Sequence, residues 1–188
     1  MQTVIVALTA TIYKFDIDLA DSDRSVYETL ALQAARHPSE SEEYLVTRVL
    51  AYALEFAVGI AFSGGGLSEP GEPAIAVRDL TGAMRVWIDI GMPDAARLHK
   101  AAKASPRVAV YTHRDPGRLL ANLAGERIHR AASVEIHAID PALVAALATR
   151  LDRRMAFALS VAERELFIAL SAETLTGSVV DYRLATDD

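Results

Sequence analysis

Hydrophobic and polar residues alternate one by one from 12 to 19. Tyr13, Phe15, Ile17 and Leu19 fall on one side, and Lys14, Asp16 and Asp18 on the other. A period of two predicts a strand with one buried and one wet face. Over 23–36 the apolar positions Val26, Tyr27, Leu30 and Ala34 trace a stripe of helical spacing, so a helix is predicted there. A second helix is expected from Ser39, the candidate N-cap, with Glu42 three residues on to close a capping box. Leu45, Val49, Tyr52, Ala53 and Phe56 keep its period. A short strand is expected at 59–63, followed by the loop GGGLSEPGEP.

The middle of the chain, EPAIAVRDLTGAMRVWIDIGMPDAARLHKAAK, predicts a strand, a Thr-Gly turn, a second strand and a helix. The helix opens at Pro93, a favoured first-turn residue. Leu98, Ala101 and Ala102 form its inward face, and Arg97, Lys100 and Lys103 recur along another. RVAVYT, 107–112, is a continuous apolar run, as in a strand covered on both faces. Helices are expected at 116–124 and 141–150, with a strand between them at 133–139. The tail then changes to three strands, 155–161, 166–170 and 175–184, with tight links. They are expected to pair with the N-terminal strand, about 8–19, because an edge strand with one polar face needs partners. The pattern is an α/β core flanked in sequence by antiparallel β structure, one domain over 1–188.

The composition narrows the setting. The 188 residues, 52% of them hydrophobic, suffice for one packed core and argue against disorder. The absence of cysteine excludes disulfides and thiolate metal sites. The first residues lack the basic start and small-residue cleavage site of a signal peptide. No apolar run reaches the roughly 18–20 residues that span a bilayer. A cytoplasmic location, no membrane partner and a monomer are the expectations. A net charge of −6 weighs against a tight non-specific grip on duplex DNA, which needs clustered cations. It leaves room for a local basic patch.

Candidate chemistry concentrates in the central hairpin. Asp79 and Asp89 have a nuclease-like spacing, but Gly82 puts the turn at about 80–82. Asp89 then lies on the order of 20 Å away, at about 3.3 Å per residue, too far to share a metal. Folding the hairpin with Asp79 joined to Ala83 places position 89 opposite about 73. Glu72 is then the better partner for Asp89, unless the register slips by one. Two carboxylates on neighbouring strands suit a hard cation such as Mg²⁺. Structural roles stand beside this reading: Glu72 can simply end a loop, and Asp89 can bond a turn or cap the helix. Asp89 sits in VWIDIG, an otherwise buried strand, and a buried charge must be paired or bind a metal. Lys100, about two turns into the helix, would have to reach back to touch such a site. Glu40 and Glu43 share a helix face and either could add a third carboxylate. The five histidines show no zinc spacing, there is no G-x-S-x-G, and the glycines at 64–66 lack the GK[ST] of a phosphate-binding loop.

ALTATIYKFDIDLADSDR, ARHPSESEEYLVTRVLAYAL, then EP, DLTG, WIDIGMPDAARLHKA and VAVYTH resemble the bacterial YaeQ family over nearly the whole chain. The resemblance implies a restriction-endonuclease-like, PD-(D/E)XK core, about 23–139, in a mixed sheet flanked by helices. It also implies additional strands from both termini. It puts Glu43, or its neighbour Glu40, in the role of the helix glutamate, Glu72 as the first strand acid and Asp89 as the second. Two residues after Asp89, where that pattern has a lysine, stands Gly91; the lysine's role passes to Lys100 if it has migrated to the helix. Two functions follow as expectations. One is a Mg²⁺-dependent phosphodiester hydrolase, with Glu72 and Asp89 on the metal, Glu43 in support and Lys100 stabilising charge. The other is an inactive nuclease scaffold that binds protein or nucleic acid.

Overall fold

The computed structural model describes residues 9–64 and 71–184. The first strand, β1 (Thr11–Asp21), forms as its alternation predicts, with Phe15, Ile17 and Leu19 buried. The expected helix at 23–36 is instead a second long strand, β2 (Val26–Arg36), antiparallel to β1. The period of two in Leu30, Leu32 and Ala34 decides it: all three are buried while their neighbours face water. Tyr27, which the helical stripe would have buried, is 64% exposed. The helix that follows, α1 (Glu42–Leu54), starts two residues later than its predicted cap. Ser41 is the N-cap and accepts from the Tyr44 amide at 3.1 Å, whereas Ser39 pairs with the His37 ring.

Next comes an antiparallel meander of β3 (Ile60–Phe62), β4 (Ile75–Arg78) and β5 (Met84–Ile90). The expected link between its first two strands lies partly outside the described residues, at 65–70. The Asp79–Gly82 turn is tied by the Asp79 carboxylate, which accepts from the amides of Thr81 and Ala83, and Gly82 supplies the positive φ of 84°. Helix α2 (Ala95–Ala104), capped by Asp94, leads to β6 (Arg107–Thr112), parallel to β5. Helix α3 (Pro116–Leu123) leads to β7 (Val134–Ile139), parallel to β6. Helix α4 (Pro141–Ala148) then opens the tail of β8 (Arg154–Ala162), β9 (Glu165–Ala169) and β10 (Thr174–Arg183).

The ten strands among the described residues form one mixed sheet, in the order β2-β1-β8-β9-β10-β7-β6-β5-β4-β3. The tail does pair with the N-terminal strand, but the β1–β8 ladder is parallel rather than antiparallel. β10 joins the halves: its first residues pair with β9 and its last with β7. Both outer strands reach α1, through Arg48 to the Ala35 carbonyl (2.6 Å) and Tyr52 to the Ile60 carbonyl (3.3 Å). The sheet therefore curls around α1 and nearly closes. The larger core packs α1 and α4 against one face of the sheet, and a second core packs α2 and α3 against the other.

Candidate functional site

Asp89 lies near the carboxyl end of β5, on the α2 side of the sheet, and is 1% exposed. Its charge is met by Arg97, one turn into α2. Arg97 Nε donates to Oδ2 at 2.8 Å and Nη2 to Oδ1 at 2.6 Å. The helix start aims this side chain: Asp94 caps it by accepting from the Arg97 amide at 2.8 Å, and the guanidinium lies over the Trp87 ring. A forked guanidinium matches a carboxylate in two parallel bonds, which is what a buried acid needs. Arg97 Nη2 also donates to the Glu72 carbonyl at 2.8 Å.

Glu72 itself is exposed and sits in a bend before β4. The expected hairpin register holds beside its turn, where the Asp79 amide meets the Ala83 carbonyl at 3.0 Å. A register shift between Val77 and Arg78 then moves the inner pairs by one: Ile75 faces Ile88, so Asp89 comes opposite 74 rather than 73. What joins Glu72 to Asp89 is the arginine, through a backbone oxygen. No group of three or more potential metal ligands forms among the described residues. The residues present do not fit a resident Mg²⁺, because both Asp89 oxygens are already bonded by a cation, which also holds the Glu72 carbonyl, and no second carboxylate among the described residues joins them.

Gly91, where the nuclease pattern has a lysine, has φ of 87° and a Cβ there would lie 3.7 Å from the Tyr44 ring. The left-handed backbone explains the glycine, since a side chain at that φ is strained. Tyr44, from α1, is half-buried. Burial raises its pKa, and the charges of Glu40 and Asp89 add to this against Arg48 and Arg97, so it stays a neutral phenol. Lys100 is exposed; its Nζ lies 3.7 Å from where a Gly71 Cβ would be, beside the segment entering β4.

Of the two glutamates expected to share a helix face, Glu40 precedes the Ser41 cap and lies outside α1; it is 3% exposed, paired with Arg48 at 3.1 Å, and also accepts from the His37 amide. Burial raises its pKa in spite of Arg48. Glu43, on α1, is near enough to His113 for its charge to act on that ring. Its backbone carbonyl accepts from Thr47 Oγ1 at 2.7 Å, and Thr47 Oγ1 is 2.9 Å from His113 Nδ1. The one hydroxyl proton goes to the carbonyl, so Nδ1 is the donor and Nε2 keeps its lone pair. Burial, then Arg114, lowers the His113 pKa against the opposing pull of Glu43. Glu43, Asp89 and Lys100 are thus distributed over separate contacts.

Sequence reasoning missed a polar ladder on the α1 side of the sheet. Tyr111 on β6 pairs in register with His137 on β7, which pairs with Asp181 on β10. The Tyr111 and His137 rings are 4.6 Å apart, and His137 Nδ1 is 2.7 Å from Asp181. Arg107 clamps Glu55, from the end of α1, with bonds of 2.6 and 3.0 Å, and also holds Glu135; the Tyr111 hydroxyl donates to Glu55 at 2.8 Å. Arg164 closes the row on Asp181. Polar residues on one strand face were the available signal: Glu135/His137 and Asp181/Arg183 two apart, and Arg107/Tyr111 four apart with Ala109 between them on that face.

The basic residues are segregated as well. Residues 95–130 hold eight Lys and Arg against two Asp and Glu, in a chain of net charge −6, so the other residues carry −12. Lys100, Lys103, Arg114, Arg118, Arg127 and Arg130 are exposed on this α2–α3 layer.

The YaeQ protein family matches residues 6–179. The "Uncharacterized protein YaeQ" of Escherichia coli (strain K12) is 37% identical over 107 residues, 57% of this chain and 59% of that protein. The match to the protein of the same description in Salmonella typhi is of the same extent. The chain thus spans about 59% of the length of these curated relatives. The crystal structure of the YaeQ protein from Xanthomonas axonopodis pv. citri aligns with a TM-score of 0.84 at 28% identity, covering 94% of this chain and 100% of that one. That from Pseudomonas syringae aligns at 0.80 and 29%, covering 95% and 97%. The match along nearly the whole sequence and the shared mixed sheet with its helices lead to one conclusion: the chain belongs to the YaeQ family.

Proposed function

We propose that this chain is a nuclease-like scaffold that binds nucleic acid without hydrolysing it. The order α1, β3–β4–β5 meander, α2, β6 follows the helix, three strands, helix and strand of a PD-(D/E)XK core, and we read it as one. The observation that carries the functional reading is the Asp89–Arg97 pair. The acid expected to hold a metal is buried and bonded at both oxygens by a guanidinium, and the lysine position is a left-handed glycine. The basic α2–α3 layer favours nucleic acid over an acidic-surface-avoiding protein partner. Clustered Lys and Arg bind phosphates by releasing counterions, and this works locally even in an acidic protein.

The test is binding of single- and double-stranded DNA and RNA in EDTA, followed by incubation with Mg²⁺ and Mn²⁺. Binding that weakens steeply with salt, and no cleavage with either metal, is the expected result. Cleavage lost in Asp89→Asn would overturn the reading and restore a metal-dependent hydrolase.

A further inference from the structure

Parallel strands β5, β6 and β7 point the same way, and the connections leaving their carboxyl ends do not all turn to the same side. After β6 the chain passes to α3, in the core shared with α2. After β7 it passes to α4, in the opposite core with α1. Helices that leave neighbouring carboxyl ends for opposite faces of the sheet leave space between them at that edge, and concave places of this kind are where small ligands bind. A cleft of about 470 Å³ occupies this place. That volume is within the range of small-ligand sites.

The cleft has a mixed chemistry. Ala138, Val180 and Tyr182 lie on one face of the sheet, with Val180 paired to Ala138 in register and 48% exposed. Pro116 and Pro141, the first residues of α3 and α4, stand on either side. Asp115 and Asp140 also line it. Each spends one oxygen on its own helix, on the amides of Gly117 and Ala142, so neither helix start is an open anion site. Each carboxylate has a second oxygen that can accept from a ligand hydroxyl or amino group. His113, at the rim, offers the lone pair of Nε2.

Arg114 and Asp115 line this cleft and also a second of about 420 Å³ beside it, with Arg118, Asn122 and Met92; the two arginines outnumber the one acid there. Arg118 and Asn122 are four apart on α3 and share its face. Neither Arg114 nor Arg118 makes an ion pair among the described residues. An apolar slot with an aromatic side chain and acid acceptors, next to two guanidiniums that no carboxylate holds in an ion pair among the described residues, complements a flat ring bearing hydroxyls and one phosphate. We infer that the carboxyl edge between β6 and β7 binds a nucleoside monophosphate, its base and sugar in the Val180–Tyr182 cleft and its phosphate on Arg114 and Arg118. The unit can be free or the phosphorylated end of a strand. This deepens the binding reading above and rests on it.

The experiment is calorimetric titration of the full chain in EDTA at low salt. The probes are the four nucleoside 5′-monophosphates, the nucleosides, inorganic phosphate, and a short oligonucleotide with a phosphorylated or a hydroxyl end. Monophosphates are expected to bind at least about tenfold tighter than nucleoside or phosphate alone. Arg114→Ala with Arg118→Ala should bring them down to the nucleoside's affinity. Val180→Glu, at an exposed position, should abolish nucleoside binding as well. A preference for the phosphorylated oligonucleotide over the free monophosphate assigns the site to strand ends, and the reverse to free nucleotides. Monophosphates no tighter than inorganic phosphate, or indifferent to Val180→Glu, overturn the inference. If long nucleic acids still bind in EDTA in that case, the broader reading survives; metal-dependent cleavage sinks that reading independently.

Discussion

At the scale of single residues, Asp89 is the acid whose surroundings decide what this fold can do. Its carboxylate is almost wholly buried, and Arg97 is the cation that satisfies it. Removing one member of a buried pair strands the other's charge, at a cost of about 3–5 kcal/mol. Arg97→Ala should therefore lower the free energy of unfolding in urea by that much, and Asp89→Asn combined with it should recover part of the loss. Additive losses in the double variant would show that the two side chains do not depend on each other. Gly91 poses the converse question. Gly91→Lys, which restores the nuclease pattern, forces a side chain into φ of 87° beside Tyr44. A left-handed residue costs roughly 1–2 kcal/mol. Equilibrium unfolding should show that loss, and Mg²⁺ should bring no phosphodiesterase activity. A lysine variant as stable as the parent would mean that the backbone here does not impose the glycine.

At the scale of elements, long-range caps hold helices whose ends the sequence leaves bare. α1 has no basic residue in its last turn. Arg24, in the turn between β1 and β2, supplies the missing cation: Nη1 and Nη2 donate to the carbonyls of Phe56 and Ala53 at 3.1 Å each, while Nε is held by Asp21 at 2.6 Å. Bonds from a charged donor to helix-end carbonyls are worth more than neutral ones. Arg24→Ala should destabilise the fold by about 2 kcal/mol in thermal or urea unfolding, and Arg24→Lys should restore only part. The sequence showed β1, the Asp79–Gly82 turn and the parallel strands plainly, because a single period or a turn residue marks each. β2 was misread because Leu30 and Ala34 fit both a helix stripe and an alternating strand, and only pairing with β1 selects between them. The hairpin register was off by one because nothing in the local pattern marks the shift after Val77. The pairing of Asp89 was foreseeable as a need, but not its partner: Arg97 looked like one member of a basic stripe, and only helix packing against β5 brings it over the strand.

At the scale of the whole molecule, the polar ladder lies where the sheet's two halves meet, and its protonation is coupled to folding. Burial acts to raise the carboxyls of Glu135 and Asp181, but it is outweighed. Arg107 holds Glu135 below the ordinary 4.5, and His137 and Arg164 hold Asp181 below 3.8. A folded carboxyl of lowered pKa binds protons less readily than its unfolded counterpart, so it contributes stability above its ordinary pKa and loses it as pH falls through the lowered one. His113, also lowered, adds an earlier loss that begins below its ordinary 6.5. Glu40, raised by burial, has the opposite sign and offsets part of the acid effect. The melting temperature should therefore be flat from pH 7 until it nears 10, the ordinary value of the Tyr44, Tyr52 and Tyr111 phenols that burial keeps neutral, fall above that, decline gently below about 6.5 and fall steeply below about 4.5. His113→Gln should remove the gentle decline, and Glu135→Gln with Asp181→Asn should flatten the steep limb while lowering stability at neutral pH. An unchanged acid limb in that double variant would mean that the join between the halves of the sheet is held by its hydrogen-bonded backbone and apolar faces, with the charges spectators to folding.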